Sequence, residues 1–146
     1  MAHIYFAYGS NLDPHQMRKR CPDSRLIERA TLQGFRLAFT GHSRNRNGAV
    51  ATVLPSCNHQ VLGLLWTLSD ADLKRLDRCE GYPRVYTRET HKVQLMSGAE
   101  DTALVYIKED KTPAAPHEDY FNIIKKAYEQ QGFNLEHLEL ALDISN

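Results

Sequence analysis

The sequence predicts an α+β domain, a small curled mixed sheet or β-barrel with helices packed against it. Short runs of alternating apolar residues recur along most of the chain, as half-buried strands require. Helix-start signals break into them at irregular distances, which argues against a repeated βαβ unit. The 146 residues fit one domain, 1–146, with a barrel core at about 3–110 and a C-terminal helical segment at about 117–143.

The elements follow in order. His3 to Tyr8 alternates Ile4, Phe6 and Tyr8 against Tyr5 and Ala7 and reads as a strand, broken by Gly9-Ser10-Asn11. Asp13-Pro14-His15-Gln16 opens a short helix, with an acid cap, proline at the first position and Gln closing a capping box. Cys21-Pro22-Asp23 ends it. Arg25 to Thr40 supplies one or two strands, and Asn47-Gly48 marks a turn into the strand Ala49–Leu54. A separate strand, Val61–Leu68, carries Trp66. Ser69-Asp70-Ala71-Asp72 starts the next helix, whose stripe of Leu73 and Leu76 runs to Cys79 before Gly81 and Pro83 stop it. Strands at Tyr86–Leu95 and Thr102–Ile107 flank Ser97-Gly98-Ala99-Glu100. Lys111 to Pro116 reads as an internal hinge. Phe121, Ile124 and Tyr128 then mark an amphipathic helix ended by Gly132, and Asn134 caps a last one with Leu135, Leu138 and Leu142.

Composition excludes several function classes. Eighteen basic residues balance eighteen acidic ones, so the footprint of a nucleic-acid or anionic-membrane binder is missing. No apolar run approaches the roughly 18 residues of a transmembrane helix. The start, Met1-Ala2-His3-Ile4-Tyr5, lacks the pattern of a signal peptide. Cys21, Cys57 and Cys79 form neither a disulfide framework nor a C-x-x-C pair. A reduced, cytoplasmic domain is expected, without nucleic-acid or membrane partners.

Phosphate-loop, dinucleotide and H-E-x-x-H motifs are absent, and the seven His stand singly, so neither cofactor nor metal is expected. Tyr8-Gly9-Ser10-Asn11-Leu12 lacks the flanking glycines of a nucleophile elbow. His117-Glu118-Asp119 reads as a polar helix start. Arg44-Asn45-Arg46-Asn47-Gly48 could grip a carboxylate, but a solvated hairpin turn is the simpler reading. Cys79, beside an acid, reads as a buried helix residue rather than a nucleophile.

Two segments have more to offer. Tyr5-Phe6-Ala7-Tyr8-Gly9-Ser10-Asn11-Leu12 runs from an apolar strand through glycine into a capped helix, which aims backbone N–H groups at one spot where a carboxylate would fit. The bland alternative is a connection using Gly9 only for its freedom. In Leu76-Asp77-Arg78-Cys79-Glu80-Gly81-Tyr82-Pro83, Glu80 ends a helix, where the dipole disfavours an anion. Desolvation by Tyr82 and Pro83 would add to that, raising its pKa towards that of a working base. The bland alternative here is a surface acid before a helix-ending glycine.

Taken together, these segments, with Leu32-Gln33-Gly34-Phe35, Ala49-Val50-Ala51-Thr52, Gly63-Leu64-Leu65-Trp66, Tyr86 and Ala115-Pro116-His117-Glu118-Asp119-Tyr120, strongly resemble the γ-glutamylcyclotransferase-like (AIG2-like) family. The resemblance implies a small barrel with packed helices and cleavage of a γ-glutamyl amide without water, releasing 5-oxoproline and a free amine. It implies Glu80 as the catalytic acid/base, with Tyr5, Phe6, Ala7, Tyr8, Gly9, Ser10 and Asn11 as the substrate-binding stretch. Tyr120 matches a substrate-contacting tyrosine, expected as a gate or wall that orders on binding, with a core tyrosine of the amphipathic helix as the bland alternative. The partner implied is a small γ-glutamyl molecule, and the family's habit allows a homodimer. Tyr8-Gly9-Ser10-Asn11 differs from the YGSL of the glutathione-specific branch. Alternatives are a cyclotransferase for γ-glutamylamines or γ-glutamyl-acylated natural products, or a non-catalytic module binding a small acid.

Overall fold

The computed structural model describes residues 2–145, so residues 1 and 146 of the expected domain lie outside the described residues. Strands β1 (His3–Ala7), β2 (Arg25–Ser43), β3 (Gly48–Leu68), β4 (Tyr86–Leu95) and β5 (Glu100–Lys108) close into a barrel in the order β1-β3-β2-β4-β5. The pairs are antiparallel except β1 with β5, which run parallel with Tyr5 opposite Leu104. Two of its seams are short: β2 meets β4 at Ala30–Leu95 and Thr31–Gln94, and β1 meets β5 at Tyr5–Leu104. Helices α1 (Pro14–Arg20), α2 (Asp70–Glu80), α3 (Glu118–Gln131) and α4 (Glu136–Ser145) pack around it. This is the expected α+β barrel. No helix among the described residues is long and apolar enough to cross a membrane.

Strand β1 loses its alternation because both its faces are covered; Tyr5, Phe6, Ala7 and the following Tyr8 are all buried. Its neighbour β3 can approach so closely only through Gly63, where a Cβ would stand 2.4 Å from the Ala7 carbonyl oxygen and 2.5 Å from Phe6 Cζ. Phe6, Leu65 and Val105 are completely buried in the core.

Three expectations are corrected, and a fourth, the turn at Asn47-Gly48, holds with Gly48 in a different role. The two strands foreseen at 49–54 and 61–68 are one, because Ser56–His59 stand as a bulge opposite Gly34 instead of ending the strand. Asn58 takes a positive φ of 63° there. At the hairpin, Asn47 takes the left-handed conformation, while Gly48 already pairs with Ser43. Gly48 is needed for a different reason: a Cβ there would stand 2.6 Å from the His117 backbone nitrogen. The capping box at α1 is half formed, since Asp13 accepts from the His15 N–H at 3.1 Å but the Gln16 side chain reaches Ser10 and Asn11. The supposed hinge at 111–116 is a fastened strap. Gly41 donates to the Thr112 carbonyl at 2.9 Å, Ala114 to Phe39 at 3.2 Å and Ala49 to Ala115 at 3.1 Å.

The other caps match their signals. Ser69 accepts from the Asp72 N–H at 3.0 Å and Asn134 from the Glu136 N–H at 2.9 Å, while the His117 ring caps α3. Gly81 and Gly132 end α2 and α3 in the left-handed conformation. Three junctions thereby meet at one end of the barrel: the exit of β1 into a 3-10 turn (Ser10–Leu12), the last turn of α2, and the first turn of α3, which packs on that 3-10 turn.

Candidate active site

A cavity of about 360 Å³ opens where these junctions meet. Of the residues the sequence singles out, Tyr5, Tyr8, Gly9, Ser10, Asn11, Glu80 and Tyr120 line it. Phe6 and Ala7 do not; they are fully buried in the core behind it. Leu12 and Asp13 donate to the Gly9 and Ser10 carbonyls, each at 3.0 Å. The amides opening this turn therefore have no partner inside it. Gly9 is glycine because the far wall presses on it: a Cβ would stand 3.2 Å from Ala51 Cβ and 3.6 Å from the Tyr120 hydroxyl.

Glu80 enters from the last turn of α2, which is tied to the barrel through Asp77. The Asp77 carboxylate accepts from the Tyr106 hydroxyl at 2.6 Å and pairs with Arg88 at 3.2 Å, and its carbonyl accepts from the Tyr82 N–H at 2.9 Å. Among the described residues the Glu80 side chain has neither a hydrogen bond nor an ion pair. It is half-buried, its open side being the cavity. Burial pushes its pKa up from 4.5 to about 7, and the Arg20 and Arg46 guanidiniums pull it back only in part.

The desolvation comes from a different source than the sequence suggests. Pro83 is exposed and Tyr82 is 38% exposed, stacked outside under the Arg88 guanidinium at 4.3 Å. The apolar surroundings of Glu80 are five tyrosines, Tyr5, Tyr8, Tyr86, Tyr106 and Tyr120. Burial raises the pKa of each phenol, and the Glu80 charge adds to that in every case. All five stay neutral at physiological pH.

Neutral phenols can still differ in what they offer. The Tyr8 and Tyr86 hydroxyls donate to the Tyr106 and Ala51 carbonyls, each at 2.6 Å, so they present oxygen lone pairs to the cavity. Tyr120 does the reverse, accepting from the Ala51 N–H at 2.9 Å, which leaves its hydrogen uncommitted. It is 5% exposed, packed edge-on against Phe39, with the Arg46 guanidinium 5.2 Å from its ring centroid. Of the gate or wall expected, Tyr120 is thus the wall.

Two readings on the rim are overturned. Arg46 is not part of a freely solvated turn: it is half-buried, lines the cavity and donates to Gln16 Oε1 at 2.7 Å. Cys79 is exposed and lines the cavity, although it stands only three residues beyond Leu76 in the buried stripe, because the helix has by then run past the core to the cavity mouth. Sequence reasoning missed Arg20, Tyr106 and Lys108, which also line it. Alternation along β5 points to Tyr106 and Lys108 sharing a face, but nothing in the sequence says what that face meets. Among the described residues, no three of His, Cys, Asp and Glu gather as a metal site would require.

A family model described as gamma-glutamyl cyclotransferase, AIG2-like, matches residues 5–123. A human protein named gamma-glutamylcyclotransferase is 32% identical over 142 residues, which cover 93% of this chain and 75% of the human one. A mouse protein of the same name is 30% identical over 141 residues, with the same coverage of 93% and 75%. Among solved structures, one named gamma-glutamyl cyclotransferase superposes with a TM-score of 0.89 at 30% identity, covering 97% of this chain and 86% of its own.

Proposed function

The chain belongs to the gamma-glutamyl cyclotransferase, AIG2-like family, and we propose that its cavity performs that reaction with Glu80 as the acid/base. The observation that carries this reading is a single carboxylate with a pKa near 7 and, among the described residues, no side-chain partner, lining the same cavity of about 360 Å³ as the Gly9–Ser10 loop.

The reaction asks little of a protein beyond positioning and one mobile proton. The substrate supplies its own nucleophile, the α-amine, which closes a five-membered ring onto the γ-carbonyl. Holding that near-attack geometry is worth about 7–11 kcal/mol of barrier. The Glu80 carboxylate takes a proton from the α-ammonium. The freed amine attacks, and the new C–N bond forms as the carbonyl oxygen becomes an oxyanion. Protonated Glu80 gives its proton to the departing nitrogen, the old C–N bond breaks and the carbonyl reforms; the regenerated carboxylate then takes the second proton of the ring nitrogen and passes it to the released amine, leaving neutral 5-oxoproline and an ammonium. At neutral pH a group near 7 is populated in both forms, so it can serve in both steps.

The donor pattern supports the same placement. The lone pairs of Tyr8 and Tyr86 suit an ammonium beside Glu80. The Gly9 and Ser10 amides suit the α-carboxylate, and the Tyr120 hydrogen suits the oxyanion. All three cysteines are free thiols, which fits the cytoplasm as the compartment of this reading. The reading also carries the family's homodimer as an expectation, checked by light scattering.

Incubation with γ-glutamyl dipeptides, glutathione and ε-(γ-glutamyl)lysine, with 5-oxoproline as the readout, tests the proposal and identifies the leaving amine. Release from at least one is expected. A folded protein that releases none from any of them would overturn it.

A further inference from the structure

Along the cavity wall, with Gln16 set behind it, lies a chain of polar groups whose donors and acceptors all run one way. It begins at Arg46, whose guanidinium can only donate and whose Nη2 donates to Gln16 Oε1 at 2.7 Å. That bond orients the Gln16 amide. Its Nε2 then faces away and donates to Ser10 Oγ at 2.8 Å and to Asn11 Oδ1 at 2.7 Å. Arg20, a second obligatory donor, reaches Asn11 Oδ1 at 3.3 Å. Asn11 Nδ2 is therefore left for the Tyr5 hydroxyl, to which it donates at 3.0 Å.

The direction has a consequence at the cavity surface. Gln16 does not line the cavity, whereas Ser10 does. Toward Gln16 the Ser10 hydroxyl is an acceptor, so its one hydrogen is free to point into the cavity, beside the amides that open the 3-10 turn. Reversal of the Gln16 amide would invert this. Ser10 would face an amide oxygen, would donate backward, and would present only lone pairs to an incoming anion.

We propose that Gln16, oriented by Arg46, is a positioning residue that holds the Ser10 hydroxyl as a hydrogen-bond donor toward the substrate's α-carboxylate. The identity of that acceptor rests on the cyclotransferase reading. The role is distinct from that of Glu80, because it concerns affinity for the substrate's zwitterionic head and not proton transfer.

Gln16→Glu tests it. The variant keeps shape and keeps a partner for Arg46, but its ionised carboxylate can only accept, so the Ser10 hydrogen turns toward it. KM should rise roughly tenfold while kcat changes less than about threefold, the size expected for losing one hydrogen bond to a charged group. Ser10→Ala should reproduce that rise, and the double variant should lose no more than Ser10→Ala alone. Gln16 acting merely in packing would lower the melting temperature and give additive losses. Calorimetric affinity for L-glutamine, which carries the same head, should fall by the same factor, read in a Glu80→Gln background so that its own γ-amide is not turned over. If the wild type binds L-glutamine yet releases no 5-oxoproline from any γ-glutamyl compound, the cyclotransferase reading fails and the affinity ratio still decides this one. Unchanged KM and L-glutamine affinity in Gln16→Glu, additive losses in the double variant, or no L-glutamine binding by the wild type would overturn the proposal.

Discussion

Asp72 and Glu80 stand about two turns apart on the same helix, and both are carboxylates in poorly solvated places. Asp72 lies in the first turn of α2 with its side chain fully buried. There the helix dipole favours an anion, Arg75 pairs with it at 2.7 Å and the Asp23 N–H donates to it at 3.4 Å. Glu80 lies in the last turn, where the dipole opposes an anion, and among the described residues it has no such partner. Burial pushes its pKa to about 7 against the pull of two arginines held at a distance. Burial of an acid is common to both ends of the helix. What separates a structural carboxylate from a reactive one is whether the fold supplies donors to compensate it.

The contrast can be broken at either end. The largest effect expected is on turnover: Glu80→Gln should lower 5-oxoproline release about 10²–10⁴-fold, while calorimetric affinity for L-glutamine changes little. Asp72→Asn should leave kcat per folded molecule unchanged, since Asp72 does not reach the cavity.

Stability should respond with the opposite sign at the two acids. Glu80 has a folded pKa of about 7 against 4.5 unfolded, so the folded state holds its proton more tightly. Its contribution is therefore fully present below pH 4.5 and lost as pH rises through about 7. Glu80→Gln should melt progressively higher than wild type across that window, up to a bound of about 3 kcal/mol, with no difference in acid. Asp72→Asn should destabilise by about 1.5–3 kcal/mol at neutral pH, through loss of a charge-assisted hydrogen bond. Thermal melts of both variants at several pH values check both signs.

A smaller effect sharpens the account of the wall. Tyr120→Phe removes the acceptor of the Ala51 N–H and the hydrogen aimed at the cavity. It should cost about 1 kcal/mol of stability and lower kcat by about tenfold with little change in KM, since the hydrogen meets the oxyanion only after attack, read from melts and steady-state kinetics on one preparation.

Much of this architecture was legible from local signals. Ser69, His117, Asn134, Gly81 and Gly132 start and stop their helices where their chemistry says they should. Glu80 stood out because a helix end and its dipole are visible in sequence. The surroundings that desolvate it were not, because Tyr8, Tyr86, Tyr106 and Tyr120 come from separate elements that only barrel closure brings together. Cys79 and Gln16 were misread for a related reason. Helical periodicity says which side of a helix is apolar, but not where along its length that side runs past the core, nor that a polar side can face a cavity wall. The sequence separates 49–54 from 61–68 because a bulge and a break carry the same kinds of residue, here Pro55 and Asn58.

The central claim is that Glu80, uncompensated, is poised near neutrality. The most direct measurement is its own titration, followed through the side-chain carboxyl carbon resonance in glutamate-labelled protein, with Glu80→Gln identifying the signal. A midpoint near 7 is the result this account predicts. A midpoint at or below the ordinary 4.5 would contradict it, by showing that the fold does compensate this carboxylate.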